Sequence, residues 1–458
     1  MGSVTRSPAR ISHDHAVDAL RAQLVARPDG APIRLAKPTS NLFRFREPPG
    51  REALDVSAFS GVIEVSGTTA DVGGMTTYED LVDATLPHGL IPHVVPQLKT
   101  ITLGGAVAGL GIESTSFRNG MPHESVLEMD ILTPSGDVVT ATPDNEHADL
   151  FRGFPNSYGT LGYALRLRIE LERVKPYVRL RHVRFTDAAD CARAIEDICA
   201  AGTYRDDPVD FLDGVAFGGT ELYLTLGSYA DTAPSLSDYT GQQIFYKSIR
   251  DRVTDHLTIR DYLWRWDTDW FWCSKALGAQ HPLVRRLWPR RYLRSDVYRR
   301  IVALDRRHDL SGRVYRLARQ PAREPVIQDV EIPVERLAEF LRFFAEEIRI
   351  SPVWLCPLKL REQTGWPLYP MKPGRLYVNA GFWATVPLGP DEPEGTHNRR
   401  IERKVTELGG HKSLYSTSYF DEDEFWVAYD GETYRRLKDT YDPDRRLPDL
   451  YSKVVRNK

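Results

Sequence analysis

The run Pro96-Gln-Leu-Lys-Thr-Ile-Thr-Leu-Gly-Gly-Ala-Val-Ala-Gly-Leu-Gly-Ile-Glu-Ser-Thr-Ser116 concentrates residue types that can hold a phosphate. Gly104, Gly105, Gly109 and Gly111 let backbone approach a ligand with no Cβ in the way, and Thr100, Thr102, Ser114, Thr115 and Ser116 add hydroxyl donors. Such a loop suits a pyrophosphate; an ordinary bend is the alternative. It is not the common dinucleotide fingerprint, because Gly109-Leu-Gly111-Ile-Glu-Ser114 lacks the third glycine and the residues after it do not read as a helix. Two further turns, Lys37-Pro38-Thr39-Ser40-Asn41 and Asn156-Ser-Tyr-Gly159-Thr-Leu-Gly162, also expose backbone. Each alone reads equally as a strand connection, but three in one domain could wrap a long dinucleotide.

Other chemistries are poorly represented. The chain has no Gly-x-Ser-x-Gly elbow, Walker loop, His-Glu-x-x-His helix or kinase motif set, so a bound organic cofactor is the expected carrier of the chemistry. Cys191, Cys199, Cys273 and Cys356 are scattered, with no metal-ligand spacing, so no metal is expected and a reducing cytoplasm fits. A formal net charge of −3 and 41% hydrophobic residues disfavour disorder and a globally basic nucleic-acid binder. No apolar run is long enough to span a bilayer, which predicts a soluble protein with at most one-sided membrane contact.

The elements that must position these loops follow from periodicity. Residues 14–26 read as an amphipathic helix with Val17, Leu20, Leu24 and Val25 on one face. Residues 62–65 and 70–72 read as a hairpin, and Thr77 caps a helix that Gly89 stops. Leu127, Met129 and Ile131 form a strand before the turn at Pro134-Ser-Gly136. Leu165, Leu167, Ile169 and Leu171 alternate with Arg166, Arg168, Glu170 and Glu172, predicting a half-exposed strand. The first α+β domain then ends near Pro176. A helix over 187–201, strands over 210–230 and 326–332, a helix from Pro333 to Ile348 and a strand from Leu376 predict a second α+β domain.

On Val95-Pro96, Thr102-Leu-Gly-Gly105, Gly111-Ile-Glu-Ser114, Asn119-Gly120, Asp149-Leu-Phe151 and Gly159-Thr-Leu-Gly162, the run from Lys37 to Pro176 resembles the flavin domain of the vanillyl-alcohol oxidase and p-cresol methylhydroxylase superfamily. Within that superfamily it is similar to the Δ24-sterol reductase branch. Ile244-Phe-Tyr-Lys247, Val326-Ile-Gln-Asp-Val330, Trp354-Leu-Cys-Pro357, Leu414-Tyr415, Tyr419 and Glu424-Phe-Trp426 extend the likeness over most of the chain. The resemblance implies an α+β two-domain flavoprotein, with an FAD-binding domain over 1–176 and a substrate (cap) domain over 177–458, whose part from about 425 to 458 packs back on the first. It implies non-covalent FAD held by residues 37–41, by Pro96, Thr100, Thr102, Leu103, Gly104, Gly105, Gly109, Gly111, Ile112, Ser114 and Ser116, and by Gly159 and Gly162. NADPH is the implied electron donor.

Among actinobacterial relatives the sequence resembles flavoenzymes that reduce 10-methylene fatty acyl chains to 10-methyl chains in tuberculostearic acid synthesis. That implies a lipid acyl substrate, functional pairing with an S-adenosylmethionine-dependent fatty-acid methyltransferase, and a cytoplasmic location that extends to the inner membrane face. A sterol Δ24-reductase-like activity, a sugar lactone or alcohol oxidase on the same fold, and a flavin-free membrane-surface binding protein are the alternatives.

An unactivated alkene needs protonation before it accepts hydride, so the site requires an acid whose pKa burial raises. Glu113 is the candidate; a carboxylate bonded to a backbone turn is its other reading. Tyr415 and Tyr419, expected on one strand face, and His411 are further candidate donors, with packed tyrosines and a surface histidine as the alternatives. The segment Tyr262-Leu-Trp-Arg-Trp-Asp-Thr-Asp-Trp-Phe-Trp272, followed by Arg285, Arg286, Arg290 and Arg291, reads as a packed core lined by a substrate tunnel, or as an anionic-bilayer interface. No nucleic-acid module accompanies it.

Overall fold

The computed structural model describes residues 8–28, 30–37, 43–44, 53–308, 313 and 321–456. Helix α1 (Pro8–Val25) begins six residues before the expected start, and it buries Leu20 and Leu24 while leaving Val25 exposed. The predicted hairpin is present as β1 (Val62–Ser66) and β2 (Thr69–Gly73), and Thr77 caps α2 (Tyr78–Thr85) by accepting the Asp80 N–H. Strands β3 (Leu90–Pro92), β4 (Val126–Leu132), β5 (Val138–Ala141) and β6 (Tyr163–Arg173) complete an antiparallel sheet of order β1-β2-β6-β4-β5, with β3 also pairing with β6.

The alternation along β6 holds for its apolar face, but Arg166 departs from the half-exposed expectation. It is buried at the sheet centre and ion-paired with Asp71 of β2 and with Glu128 and Asp130 of β4. Three carboxylates drawn from both neighbouring strands replace its water shell, the condition under which a buried guanidinium is tolerated.

The chain crosses to a second antiparallel sheet between Arg173 and Tyr177. Its strands are β7 (Tyr177–Phe185), β8 (Phe211–Gly218), β9 (Glu221–Ala230), β10 (Thr254–Thr258), β11 (Arg323–Pro333), β12 (Val353–Leu358), β13 (Tyr377–Pro387) and β14 (His411–Lys412), in the order β10-β7-β9-β8-β12-β13-β11-β14. Helices α4 (Ala188–Ala201), α5 (Pro282–Leu287), α6 (Ser295–His308), α7 (Leu337–Phe343) and α8 (Thr396–Glu407) belong to this half.

Side-chain alternation sorts each strand between two cores. Leu212, Val330, Leu355 and Phe382 pack with Ile195 of α4, Leu337 of α7 and Ile401 of α8. The opposite parity, Phe211, Trp354, Cys356 and Trp383, joins the aromatic segment and the core of the first sheet. Asp329 has that second parity and stands opposite Gly381 in the β11–β13 register.

Near the C-terminus, α9 (Gly431–Tyr441) and the residues after it meet the first half of the chain: Tyr441 donates to Asp149 (2.8 Å), Lys438 Nζ to the Thr160 carbonyl (2.6 Å) and Lys453 Nζ to the Tyr158 carbonyl (2.7 Å).

Candidate functional site

Backbone close packing, more than an open loop, explains the glycines after Pro96. Residues Leu103–Ala108 form a short helix, α3, where a loop was expected, and Thr102 caps it by accepting the Gly105 N–H at 3.3 Å. The Gly104 N–H bonds the Gly74 carbonyl at 2.9 Å, and a Cβ there would sit 2.7 Å from that oxygen. At Gly111 a Cβ would meet Pro122 Cγ at 2.6 Å and Pro96 Cγ at 2.9 Å. Gly105 is the position where ligand space matters: a Cβ would fill the gap 2.8 Å from Thr102 Oγ1 and 3.4 Å from Lys37 Nζ. Lys37 Nζ itself donates to Thr102 Oγ1 at 2.9 Å.

These groups border one cavity of about 950 Å³. Lys37, Pro96, Thr102, Gly104, Gly105, Gly111, Ile112, Gly159 and Gly162 lie on its wall, so the structure brings together parts of all three predicted turns. Pro38, Thr39, Ser40 and Asn41 fall outside the described residues.

Thr100, Leu103, Gly109, Ser114 and Ser116 do not line the cavity. Leu103 is core, and Gly109 makes room for Tyr158, whose Cε1 would lie 3.0 Å from an added Cβ. Ser114 shares a 2.8 Å hydrogen bond with the Tyr262 hydroxyl, and Ser116 Oγ accepts the Glu113 N–H.

Two kinds of surface face the cavity. Among the described residues its cations are Arg34, Lys37, Arg44, Arg445, Arg446 and Lys453, against the single carboxylate of Asp329. That excess suits a dianionic pyrophosphate. Gln97 adds a buried side chain whose Nε2 has no hydrogen-bond partner among the described residues, a donor available to a ligand oxygen. The glycine gap beside Lys37, the positive lining and this orphaned amide fit an FAD.

The other surface is aromatic. Trp270 stacks on Phe43 (5.4 Å between centroids), and Phe271 packs against Trp383 (4.4 Å) and Trp354 (5.3 Å). Trp270 and Phe271 occupy the left-handed region at φ 46° and 60°. Bulky residues rarely adopt that conformation, and it costs roughly 1–3 kcal/mol each, which the surrounding packing must offset. The turn aims both rings at the cavity. All five aromatic residues from Trp264 to Trp272 are buried, as the packed-core reading expected.

Asp329 lies in this aromatic part. Its Oδ1 accepts from Asn379 Nδ2 at 2.8 Å, and Tyr415, whose hydroxyl accepts from Trp383 Nε1 at 2.9 Å, lines the cavity with it. Burial raises the Asp329 pKa to about 6, with the neighbouring Asn379 amide and Tyr415 hydroxyl opposing the rise. Gly381 leaves the space this requires, since any Cβ there would collide with Asp329 Oδ1 and lie 2.8 Å from Trp383 Cη2.

The expected acids occupy other places. Glu113 is 1% exposed and lies outside the cavity wall, with Oε1 3.2 Å from Arg265, which also pairs with Asp213 at 2.8 Å. Burial pushes the Glu113 carboxyl up and Arg265 pulls it back. Asp213 Oδ2 further accepts from the indoles of Trp266 (3.1 Å) and Trp354 (3.2 Å), so this buried triad braces the aromatic wall from behind.

Tyr419 does not share a strand face with Tyr415: no strand forms over 413–421, and its ring packs beside Gly395 and under Arg399. His411 is buried on β14 beside Glu331, not on a surface loop; burial lowers its pKa to about 3, and it does not reach the cavity. Of the four, Tyr415 alone lines the cavity. Asp329 sat unremarked within Val326-Ile-Gln-Asp-Val330, where a lone acid between apolar residues on a buried strand was the available signal. Gln97 stood likewise beside Pro96.

Residues 13–142 match the model of an FAD binding domain. Over 425 residues the chain is 26% identical to the Delta(24)-sterol reductase of Homo sapiens, covering 88% of this chain and 76% of that protein. The Delta(24)-sterol reductase of Arabidopsis thaliana is 27% identical over 424 residues, covering 85% of this chain and 74% of that protein. Cytokinin dehydrogenase 7 of Oryza sativa subsp. japonica is 35% identical over 147 residues, 31% of this chain and 28% of that protein.

Proposed function

We propose that this chain, an FAD-dependent oxidoreductase of the vanillyl-alcohol oxidase and p-cresol methylhydroxylase superfamily, reduces an isolated carbon–carbon double bond in a lipid. The observation that carries the reading is Asp329, a buried carboxyl bonded by Asn379 and lining the same cavity as Tyr415, Trp270, Phe271, Trp354 and Trp383. An acid with a pKa of about 6 retains a proton on part of the population near neutrality and can deliver it to the less substituted alkene carbon. The aromatic faces stabilise the tertiary cation that results, and their apolar surface excludes water that would trap it. Asn379 holds the carboxyl in place. Lys37, Thr102, Gly105 and Gln97 would hold FAD, which when bound and reduced would supply the hydride, with NADPH as the proposed source of electrons.

The relatives' names favour a sterol side chain with a Δ24 double bond over the 10-methylene fatty acyl chain suggested by the sequence motifs. Both present a doubly alkylated alkene carbon, and the same site chemistry serves either. The flavin-free alternative loses its basis in the FAD-binding domain match. A polyol or sugar substrate finds little in an aromatic wall with one carboxylate.

The test is anaerobic incubation of the flavin-loaded protein and NADPH with a Δ24 sterol and, separately, with a 10-methylene phospholipid. A gain of two hydrogens in either lipid, read by mass spectrometry, supports the proposal and identifies the substrate. Failure on both, with peroxide formed from an alcohol in air, would replace it with the oxidase reading.

A further inference from the structure

The segment from His281 to His308 holds nine arginines and two aspartates in a chain whose net charge is −3. Among the described residues it also carries the largest run of uncovered apolar side chains. Leu283 (67% exposed), Val284 and Leu287 (84%) project from α5, Tyr292 follows, and Ile301 and Leu304 (55%) project from α6 one helical turn apart. Leaving such groups in water costs free energy, and the flanking charges say what covers them. Arg290 is paired with Asp238 and Arg300 with Asp296, whereas Arg286 and Arg291 have no carboxylate partner among the described residues.

The patch is fixed directly over the candidate site. Trp288, at the end of α5, packs against Tyr298 of α6 (6.0 Å), and both share a cluster with Leu293, Trp270, Phe43 and Leu98. Trp270, Phe43 and Leu98 also line the cavity, so one layer of side chains separates the exposed surface from the aromatic wall.

We infer that α5, α6 and the residues between them form a docking surface for an anionic lipid bilayer, with Leu283, Leu287 and Leu304 entering the acyl region and Arg286 and Arg291 meeting headgroup phosphates. Apolar anchors ringed by arginine suit this partner because each arginine close to an anionic membrane adds attraction while its stem lies along the acyl boundary. A second protein copy would have to accommodate the same local excess of positive charge. The surface serves the lipid reading above by placing the cavity at the membrane, but its test does not depend on that reading.

Full-length, flavin-loaded protein is sedimented with phosphatidylcholine vesicles, with and without phosphatidylglycerol, at low and high salt. The wild-type chain binds only the anionic vesicles and is released by salt. Arg286→Glu with Arg291→Glu lowers binding at least roughly tenfold, and Leu283→Ser with Leu287→Ser lowers it comparably. Both double variants keep their flavin and their turnover of detergent-dispersed lipid. Equal binding to neutral vesicles, unchanged binding by both variants, or a wild-type dimer that the leucine variant converts to monomer would overturn the inference. Vesicle binding without alkene reduction would refute the proposed reaction alone; reduction of dispersed lipid without vesicle binding would refute the docking surface alone.

Discussion

Replacing Asp329 by asparagine removes the ionisable proton while keeping the side chain's size and an oxygen for Asn379 to bond. The folded carboxyl titrates at about 6 instead of 3.8, a rise of about two units, which corresponds to roughly 3 kcal/mol of penalty on the ionised form. Because the folded-state pKa is the higher one, the stability this group contributes is fully present below about 3.8 and is lost as pH rises through about 6. Asparagine pays no such penalty. The Asp329→Asn protein should therefore gain on the wild type progressively between pH 4 and pH 7, approaching roughly 3 kcal/mol as an upper limit, in urea unfolding followed across that range.

In the proposed reaction the same proton sets the rate. Single-turnover lipid reduction in the wild type should fall as pH rises through about 6, because the donor must be protonated. In Asp329→Asn it should drop by about 10²–10⁴-fold and lose that limb. The visible flavin spectrum and the rate of flavin reduction should be unchanged, since Asp329 is assigned to the substrate proton and not to flavin binding. A variant that retains activity within about threefold and keeps the same pH profile would refute the assignment, and a stability difference that is flat with pH would refute the burial-shifted titration beneath it.

Gly105→Val should fill the gap beside Lys37 and Thr102, leaving a folded protein that purifies with less than roughly a tenth of its normal flavin by absorbance ratio. Glu113→Gln should change the turnover rate only a few-fold, because Glu113 is bonded to Arg265 and Ser114 and stands off the cavity; a loss of about 10²-fold or more would restore it as the acid. Asp213→Asn should destabilise by about 1–3 kcal/mol in chemical denaturation, since a neutral oxygen replaces the charged acceptor of Arg265 and of the Trp266 and Trp354 indoles while Glu113 still compensates the guanidinium. Arg166→Met should cost more, about 3–5 kcal/mol, by leaving Asp71, Glu128 and Asp130 facing one another without their cation.

What the sequence disclosed and what it hid divide along a physical line. Features set by local rules were readable: the cap at Thr77, the hairpin of β1 and β2, and the parity of Leu165, Leu167 and Ile169 each depend on residues a few positions apart. The glycine run was legible as a ligand-facing element because a missing Cβ is a property of the residue itself, although the same freedom let Leu103–Ala108 coil into a helix packed on Gly74. Acid chemistry was not legible, because a carboxyl's proton affinity is decided by groups distant in sequence. Glu113, beside the glycines, looked like the acid, yet Arg265, 152 residues away, engages it. Asp329 is kept near pH 6 by burial between β11 and β13 and is anchored by Asn379, 50 residues downstream.

The two acids also answer to different constraints. A buried carboxyl facing an arginine is held for structure, because the cation opposes its protonation; one facing amide and hydroxyl groups has no cation to neutralise and can exchange its proton at modest cost. By that criterion the proposed proton donor belongs to the second sheet, and Gly104 and Gly105 to the helix α3 of the first half of the chain. The cavity between them is where the two halves of the chain become one site.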